Sequence, residues 1–227
     1  MTLSASRLQR LALLNNTKKY LEVGVQKGET FFSLDLPFKK GVDPNFLFDY
    51  KTKETSSVKF VPTTSDIFFQ EPRQLDKYDL IFLDGLHIFE QTLRDFCSSL
   101  EFSHKKTIWL LDDVRPRTRW EMVRSPRISA YAQKVLLHKN KFWVGDVFKV
   151  LLTIHDFFPQ FSFATFPGHG QSAIWYKQRS GIKPCAQSLR HLSGMTFHDY
   201  LQVPPNVFNF QEDEVIYKAI ADSFAHK

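Results

Sequence analysis

The chain carries only two cysteines in 227 residues, Cys97 and Cys185, and they match no metal or redox spacing. A disulfide framework is thereby excluded, and the simplest setting is a reduced, cytoplasmic one. No apolar run approaches membrane-spanning length, and the N-terminus lacks the apolar core of a signal peptide, so a soluble protein without membrane contact is expected. Low-complexity tracts and internal repeats are missing too. With 43% hydrophobic and 24% charged residues, extended disorder is excluded. Charge of one sign is scarce: the net +6 is modest and no dense basic-aromatic stripe accompanies it, which disfavours nucleic acid as a partner. Phenylalanine is plentiful instead, at 23 residues, and implies a well-filled core or aromatic walls around a ligand. The length suits one sizeable α/β domain with little left for a second.

The stretch around which the rest is organised runs from Tyr20 to Asp43, YLEVGVQKGETFFSLDLPFKKGVD. A short apolar strand containing Glu22 enters a glycine turn, Gly24 to Gly28, followed by a short helical segment and a second strand ending at Asp43. Such a turn brings bare backbone N–H groups close to a ligand. An acid at the end of the next strand can hold ribose hydroxyls. The glycine spacing then selects the cofactor. G-x-G-x-x-G is missing, because Gln26 stands where a pyrophosphate demands no side chain. Glu22 would repel a phosphate and suits a cation, such as the amino group of an amino acid. Both residues disfavour an NAD-dependent oxidoreductase. E-x-G-x-x-x-G with an acid at Asp43 resembles the opening motif of class I S-adenosylmethionine-dependent methyltransferases. On that resemblance Glu22 and Gly24 hold the amino-acid end, Asp43 the ribose, and Gln26 and Gly28 also belong to the cofactor site.

Along the chain, Ser4 to Leu14 has helical apolar spacing. Strands are expected at 20–23, 40–42, 58–61, 77–84 and 106–111; the fourth, with its continuous run Leu80–Leu83, reads as buried on both faces of a parallel sheet. Segments 161–166 and 172–176 alternate like two strands joined by the turn at Gly168–Gly170. A helix is expected over 89–102, another from the Gly145-Asp146 cap to about Phe157, and two more at 196–201 and 213–224. The crossover 45–57 has no clear assignment. Five βα-type strands followed by an antiparallel pair predict a doubly wound, seven-stranded, mostly parallel α/β sheet with an antiparallel edge hairpin, a Rossmann-like architecture. One domain over 1–180, an Arg-rich lid or insertion at about 114–144, and a C-terminal helical extension over 181–227 follow from this.

Chemistry concentrates at the strand ends. Ser65 and Asp66 follow the third strand, where Asp66 could accept from an adenine amino group or simply cap a turn. Asp84 ends the fourth strand, His87 lies three residues on, and Asp112 and Asp113 end the fifth. Carboxylates so placed repel one another unless a cation or proton neutralises them. Oxygen ligation by Asp84, Asp112 and Asp113 suits Mg²⁺, which would bind and acidify a substrate hydroxyl; Asp84 serving the cofactor alone is the other reading. His87 is the base candidate, with an orienting role as its alternative. Arg115, Arg117 and Arg119 present guanidinium forks suited to an anionic acceptor, or belong to a solvated loop. Asp146 and Lys149 share a helix face, Asp146 as an N-cap or a substrate contact.

LEVGVQKGET, GVDP, DLIFLDGLH, WLLDDV and GDVFKV occur in an order that resembles the small-molecule O-methyltransferases of the macrocin-type and capsular-polysaccharide-associated group, similar to methyltransferase family 24. The match spans roughly 20–176. It implies S-adenosylmethionine as cofactor, a sugar or other small-molecule hydroxyl as acceptor, a metal at Asp84, Asp112 and Asp113, and His87 as base; self-association is compatible with it. Many relatives without metal end the fifth strand in His-Asp, and this chain ends it in Asp-Asp. An RNA methyltransferase lacks support in a D-P-P-Y-like motif, since Pro204-Pro205-Asn206 falls in the wrong order and place. That class and a catalytically silent cofactor-binding domain stand as the alternatives.

Overall fold

A computed structural model of the chain describes residues 2–70, 76–136, 142–168 and 170–225. Residues 137–141 of the expected lid, and His169 in the turn at 168–170, lie outside the described residues. In chain order the elements are α1 (Leu3–Asn15), β1 (Lys19–Val23), α2 (Glu29–Ser33), β2 (Phe38–Val42), β3 (Val58–Val61), α3 (Ser65–Gln70), β4 (Leu80–Leu83), α4 (Phe89–Ser99), β5 (Ile108–Leu111), α5 (Pro126–Val135), α6 (Phe148–Phe157), β6 (Phe161–Thr165), β7 (Ser172–Tyr176), α7 (Leu189–Gly194), α8 (Phe197–Gln202) and α9 (Asp213–Ala225).

The strands form one seven-stranded sheet in the order β3-β2-β1-β4-β5-β7-β6. β1 to β5 pair in parallel, and β7 runs antiparallel to both β5 and β6. β4 and β5 are buried along their whole length, as strands covered on both faces must be. Phenylalanines supply much of both cores: Phe96, Phe148 and Phe161 on one face of the sheet, Phe31, Phe60, Phe82 and Phe166 on the other. No helix among the described residues is long and apolar enough to cross a membrane.

Two details of the sequence reading change. The stretch 114–144 contains a helix, α5, opened by the Ser125 side chain accepting from Ile128 N–H, with Pro126 in its first turn. Asp146 does not cap α6, which starts at Phe148 without a side-chain cap. Its Oδ1 accepts from the backbone N–H of Phe89 at 2.7 Å, so it caps α4 across the fold.

The sheet's C-terminal edge opens where strand order reverses between β1 and β4, and Gly24 makes the turn there. Its φ is +89°, and a Cβ at this position would lie 2.0 Å from the carbonyl oxygen of Asp84. Gly181 is also left-handed, with φ +66°, but has nothing within 4 Å of such a Cβ. Gly181→Ala is therefore expected to cost about 1–2 kcal/mol of backbone strain. Gly24→Ala must additionally separate β1 from β4, and urea unfolding is expected to show a clearly larger loss of stability than for Gly181→Ala.

Candidate active site

The turn after β1 is held by Asp43, which ends β2. Asp43 Oδ2 accepts from the N–H groups of Val25 and Gln26 at 2.9 and 2.8 Å, and Oδ1 accepts from Asn45 N–H at 2.7 Å. Gln26 takes a left-handed φ of 49° to make this fold-back. Gly28, at φ +76°, opens α2. A carboxylate has about four acceptor positions, and the loop uses three of them. Asp43 thus builds the cradle through three backbone hydrogen bonds and still lines the cavity, where the sequence reading places the ribose.

A cavity of about 810 Å³ lies over this loop, lined among others by Glu22, Gly24, Gln26, Asp43, Ser65, Asp66, Asp84 and His87. At its far end α3 and α4 meet. There the side-chain amide of Gln91 donates to Ser65 Oγ, Asp66 Oδ1 and Asp95 Oδ1 at 3.2, 3.1 and 3.0 Å. Arg94 pairs with the other oxygen of Asp66 at 2.9 Å. Asp66 therefore retains acceptor capacity while serving as part of a network. Gln91 and Asp95, one helical turn apart on α4, went unremarked in the sequence although that spacing puts them on one face.

Glu22 is buried, and Tyr20 Oη donates to its Oε2 at 2.5 Å. Burial raises the Glu22 pKa to about 8, against the lowering effects of the Tyr20 hydrogen bond and the Lys39 charge. Lys39 is itself buried, donating from Nζ to the carbonyls of Phe31 and Leu34 at the end of α2. Tyr20 and Glu22 share a strand face through the two-residue period, so that pairing was in principle legible.

The second cluster lies where β4 and β5 end. Asp113 has a left-handed φ of 58°, a conformation that Asp tolerates better than most residues. The backbone turn sends the consecutive carboxylates different ways. Asp112 Oδ1 accepts from Asp113 N–H, and its Oδ2 accepts from the Gln171 side-chain amide at 3.0 Å. Asp113 Oδ2 instead meets His87 Nδ1 at 2.5 Å. The ligand-type atoms that lie within 4.8 Å of one another belong to Asp84, His87 and Asp113. The imidazole takes the place that the sequence reading gave to Asp112. The Asp84 carboxyl is held well above the usual carboxylate range by burial and by the charges of Asp112, Asp113 and Glu22. Burial works against protonation of His87, yet the hydrogen bond and charge of Asp113 outweigh it, and its pKa is raised. Trp143, unremarked in the sequence, stands edge-on to the His87 ring at 4.8 Å between centroids. Gly145 follows so closely that a Cβ there would overlap the His87 carbonyl oxygen.

The remaining substrate candidates do not line the cavity. Arg115 stacks on Phe210, Arg117 donates to the Gly168 carbonyl, and Arg119 lies over Trp120. Lys149 is buried, bridging Asp146 Oδ2 and the Ser193 carbonyl at 3.0 and 2.7 Å. Asp146 and Lys149 brace α4, α6 and α7, their buried charges compensated by each other and by these hydrogen bonds.

Glu22 carries a prediction for the empty protein. Its folded pKa of about 8 exceeds the ordinary 4.5, so between these values the unfolded chain releases a proton that the folded one keeps. Stability must then fall as pH rises through that window, by at most about 1.4 kcal/mol per pH unit from this group. Thermal denaturation is expected to show the decline, and Glu22→Gln to flatten it; an equally steep decline in the variant rules out Glu22 as its source.

No family model matches the chain, and no curated protein matches it. Solved structures do. A Staphylococcus aureus protein named as a candidate caffeoyl-CoA O-methyltransferase aligns with a TM-score of 0.55 at 15% identity, over 78% of this chain and 84% of its own. An S-adenosylhomocysteine-bound methyltransferase from Podospora anserina aligns at 0.53 and 15%, over 78% and 80%. An O-methyltransferase from Bacillus cereus, in complex with S-adenosylhomocysteine, aligns at 0.51 and 14%, over 78% and 82%. At such identities the likeness is one of fold: the chain has the Rossmann-like fold of class I methyltransferases.

Proposed function

We propose that the chain is an S-adenosylmethionine-dependent methyltransferase acting on a hydroxyl of a small molecule. The observation that carries this reading is the cavity itself. It brings together an Asp43-held glycine loop, a buried Glu22 and His87, the last paired with Asp113, in a fold shared with S-adenosylhomocysteine-bound structures. Glu22 and Asp84, held toward their protonated forms by burial, can each give up a proton to meet a ligand that is cationic at its sulfonium and amine. Asp43 takes one ribose hydroxyl, and Ser65 and Asp66 face the adenine end.

The cofactor supplies a methyl group on a sulfonium that leaves as a neutral thioether. The protein's task is to align the acceptor oxygen, exclude water and accept one proton. With Nδ1 donating to Asp113, His87 has Nε2 for the hydroxyl proton, and Asp113 stabilises the imidazolium that forms. Trp143 packs against the His87 ring and would favour an acceptor with an apolar face, such as a sugar presents between its hydroxyls. An anionic acceptor draws no support from Arg115, Arg117 or Arg119, none of which lines the cavity.

The donor set tests the metal reading. Mg²⁺ prefers oxygen ligands, and the grouping here is two carboxylates and an imidazole, with Asp112 occupied by Gln171. The residues fit Mg²⁺ poorly. A mixed nitrogen–oxygen set suits Mn²⁺ or Zn²⁺ better, and the clustering of three ligand atoms is the one observation in favour of a metal. Turnover that survives EDTA supports His87 as an unassisted base, and turnover abolished by EDTA and restored by Mn²⁺ supports the metal.

Calorimetry with S-adenosylhomocysteine is the direct test of the cofactor. Saturable binding is expected, and the absence of heat and of thermal shift defeats the proposal. His87→Gln is expected to leave that affinity intact while lowering kcat about 10²-fold or more with an active acceptor.

A further inference from the structure

A second cluster of ligating side chains lies on the opposite side of α6 from the bracing end at Lys149. His155 and Asp156 close α6, and Cys185 comes from the segment that follows β7. One ligand atom from each lies within 4.8 Å of the other two. His155 Nδ1 is 2.7 Å from Asp156 Oδ1 and 3.6 Å from Cys185 Sγ. The Asp156 side chain is 1% exposed and His155 15%. From the geometry we infer a binding site for one zinc-class divalent cation, with Cys185 Sγ, His155 Nδ1 and Asp156 Oδ1 as ligands and a fourth position facing solvent.

The distances carry this. Sulfur and nitrogen ligands about 2.3 and 2.1 Å from one zinc ion, at the tetrahedral angle, are roughly 3.6 Å apart. The Cys185–His155 separation already has that value. The His155–Asp156 contact is a hydrogen bond of 2.7 Å and must open by about 0.7 Å to admit the ion. Asp156 is fixed independently, because its oxygens accept from the N–H groups of Cys185 and Ala186 at 2.9 to 3.0 Å. Those bonds bring Cys185 to the end of α6 whether or not an ion is bound. The site is therefore organised in advance around one rigid carboxylate.

Charge and protons balance. The thiol loses its proton on binding, and the imidazole proton passes from Nδ1 to Nε2, leaving a neutral ring. One proton is released per ion, and the thiolate and carboxylate together cancel the two positive charges. Arg179, whose charge also acts on Asp156, donates from its guanidinium to the carbonyls of Ile154, His155, Phe158 and Phe161. A cysteine nucleophile is the competing use of these three residue types, and the structure speaks against it. Both Cys185 and Asp156 address the same ring nitrogen, so no proton path runs through the imidazole. Softness of the donors separates this site from the rim beside His87, which has no sulfur. Bound there, the ion would pin the segment after β7 to the end of α6.

The test is a Co²⁺ titration of the full chain, kept reduced with a phosphine. Expected is a thiolate-to-cobalt charge-transfer band in the near ultraviolet, saturating at one equivalent and displaced by Zn²⁺. The band should vanish in Cys185→Ser and in His155→Gln, and persist in Cys97→Ser. Zn²⁺ should raise the Tm of the wild type and leave that of Cys185→Ser unchanged. The inference is overturned if the wild-type chain gives no band, if the band survives Cys185→Ser or His155→Gln, or if it disappears with Cys97→Ser. None of these outcomes depends on methyl transfer.

Discussion

Crowding of carboxylates at one sheet edge is the constraint on which the rest depends. Glu22, Asp43, Asp84, Asp112 and Asp113 all stand at or near the C-terminal ends of β1, β2, β4 and β5. Unpaired acids in so enclosed a place would be prohibitive. Each is managed differently. Glu22 leans on Tyr20 and holds its proton to higher pH. Asp43 collects three backbone N–H groups. Asp112 takes the Gln171 amide, and Asp113 takes His87. Asp84 is pushed toward its neutral form by burial and by its acidic neighbours. An edge of this kind remains attractive to a cation, because a positive ligand relieves repulsion that the fold itself only partly offsets.

The relief is distributed through distant parts of the chain. Gln171, which holds Asp112, is held in turn by Arg7 at 3.1 Å and donates to Ser4. Arg7 is buried and also pairs with Asp213 at 3.1 Å, so α1 and α9 both brace the end of β5. On the other side Asp146 caps α4, the helix that carries Gln91 and Asp95 to the cavity. Arg124, from the segment before α5, pairs with both Glu90 and Asp146. The segment expected as a lid is therefore tied by one of its arginines to the helix behind the site. The other arginines named from the sequence stack on nearby aromatic rings or cap carbonyls.

Much of the architecture was legible in local pattern. The runs at 20–23, 58–61 and 80–83 became β1, β3 and β4, and the alternation at 161–166 and 172–176 became the antiparallel pair. Period-two and period-3.6 patterns report which face is buried, and those faces are set by a few adjacent residues. Helix α5 is short and only weakly apolar, and its Ser125-Pro126 start sits inside an arginine-rich stretch that resembles a loop. Asp146 was misread because a glycine and an acid before an apolar run look the same whether the acid caps its own helix or one that is 57 residues away.

The amino-acid sequence by itself determined that acids would stand at the ends of parallel strands around a glycine turn, since strand, turn and helix are each specified within a dozen residues. Only the tertiary structure decided what each acid does there. The left-handed turn at Asp113 separates it from Asp112, and His87 becomes its partner because the chain from β4 doubles back toward β5. Likewise Cys185 meets His155 and Asp156 through hydrogen bonds to a carboxylate 29 residues earlier. Side-chain partnership depends on distances across the fold, and no local pattern encodes them.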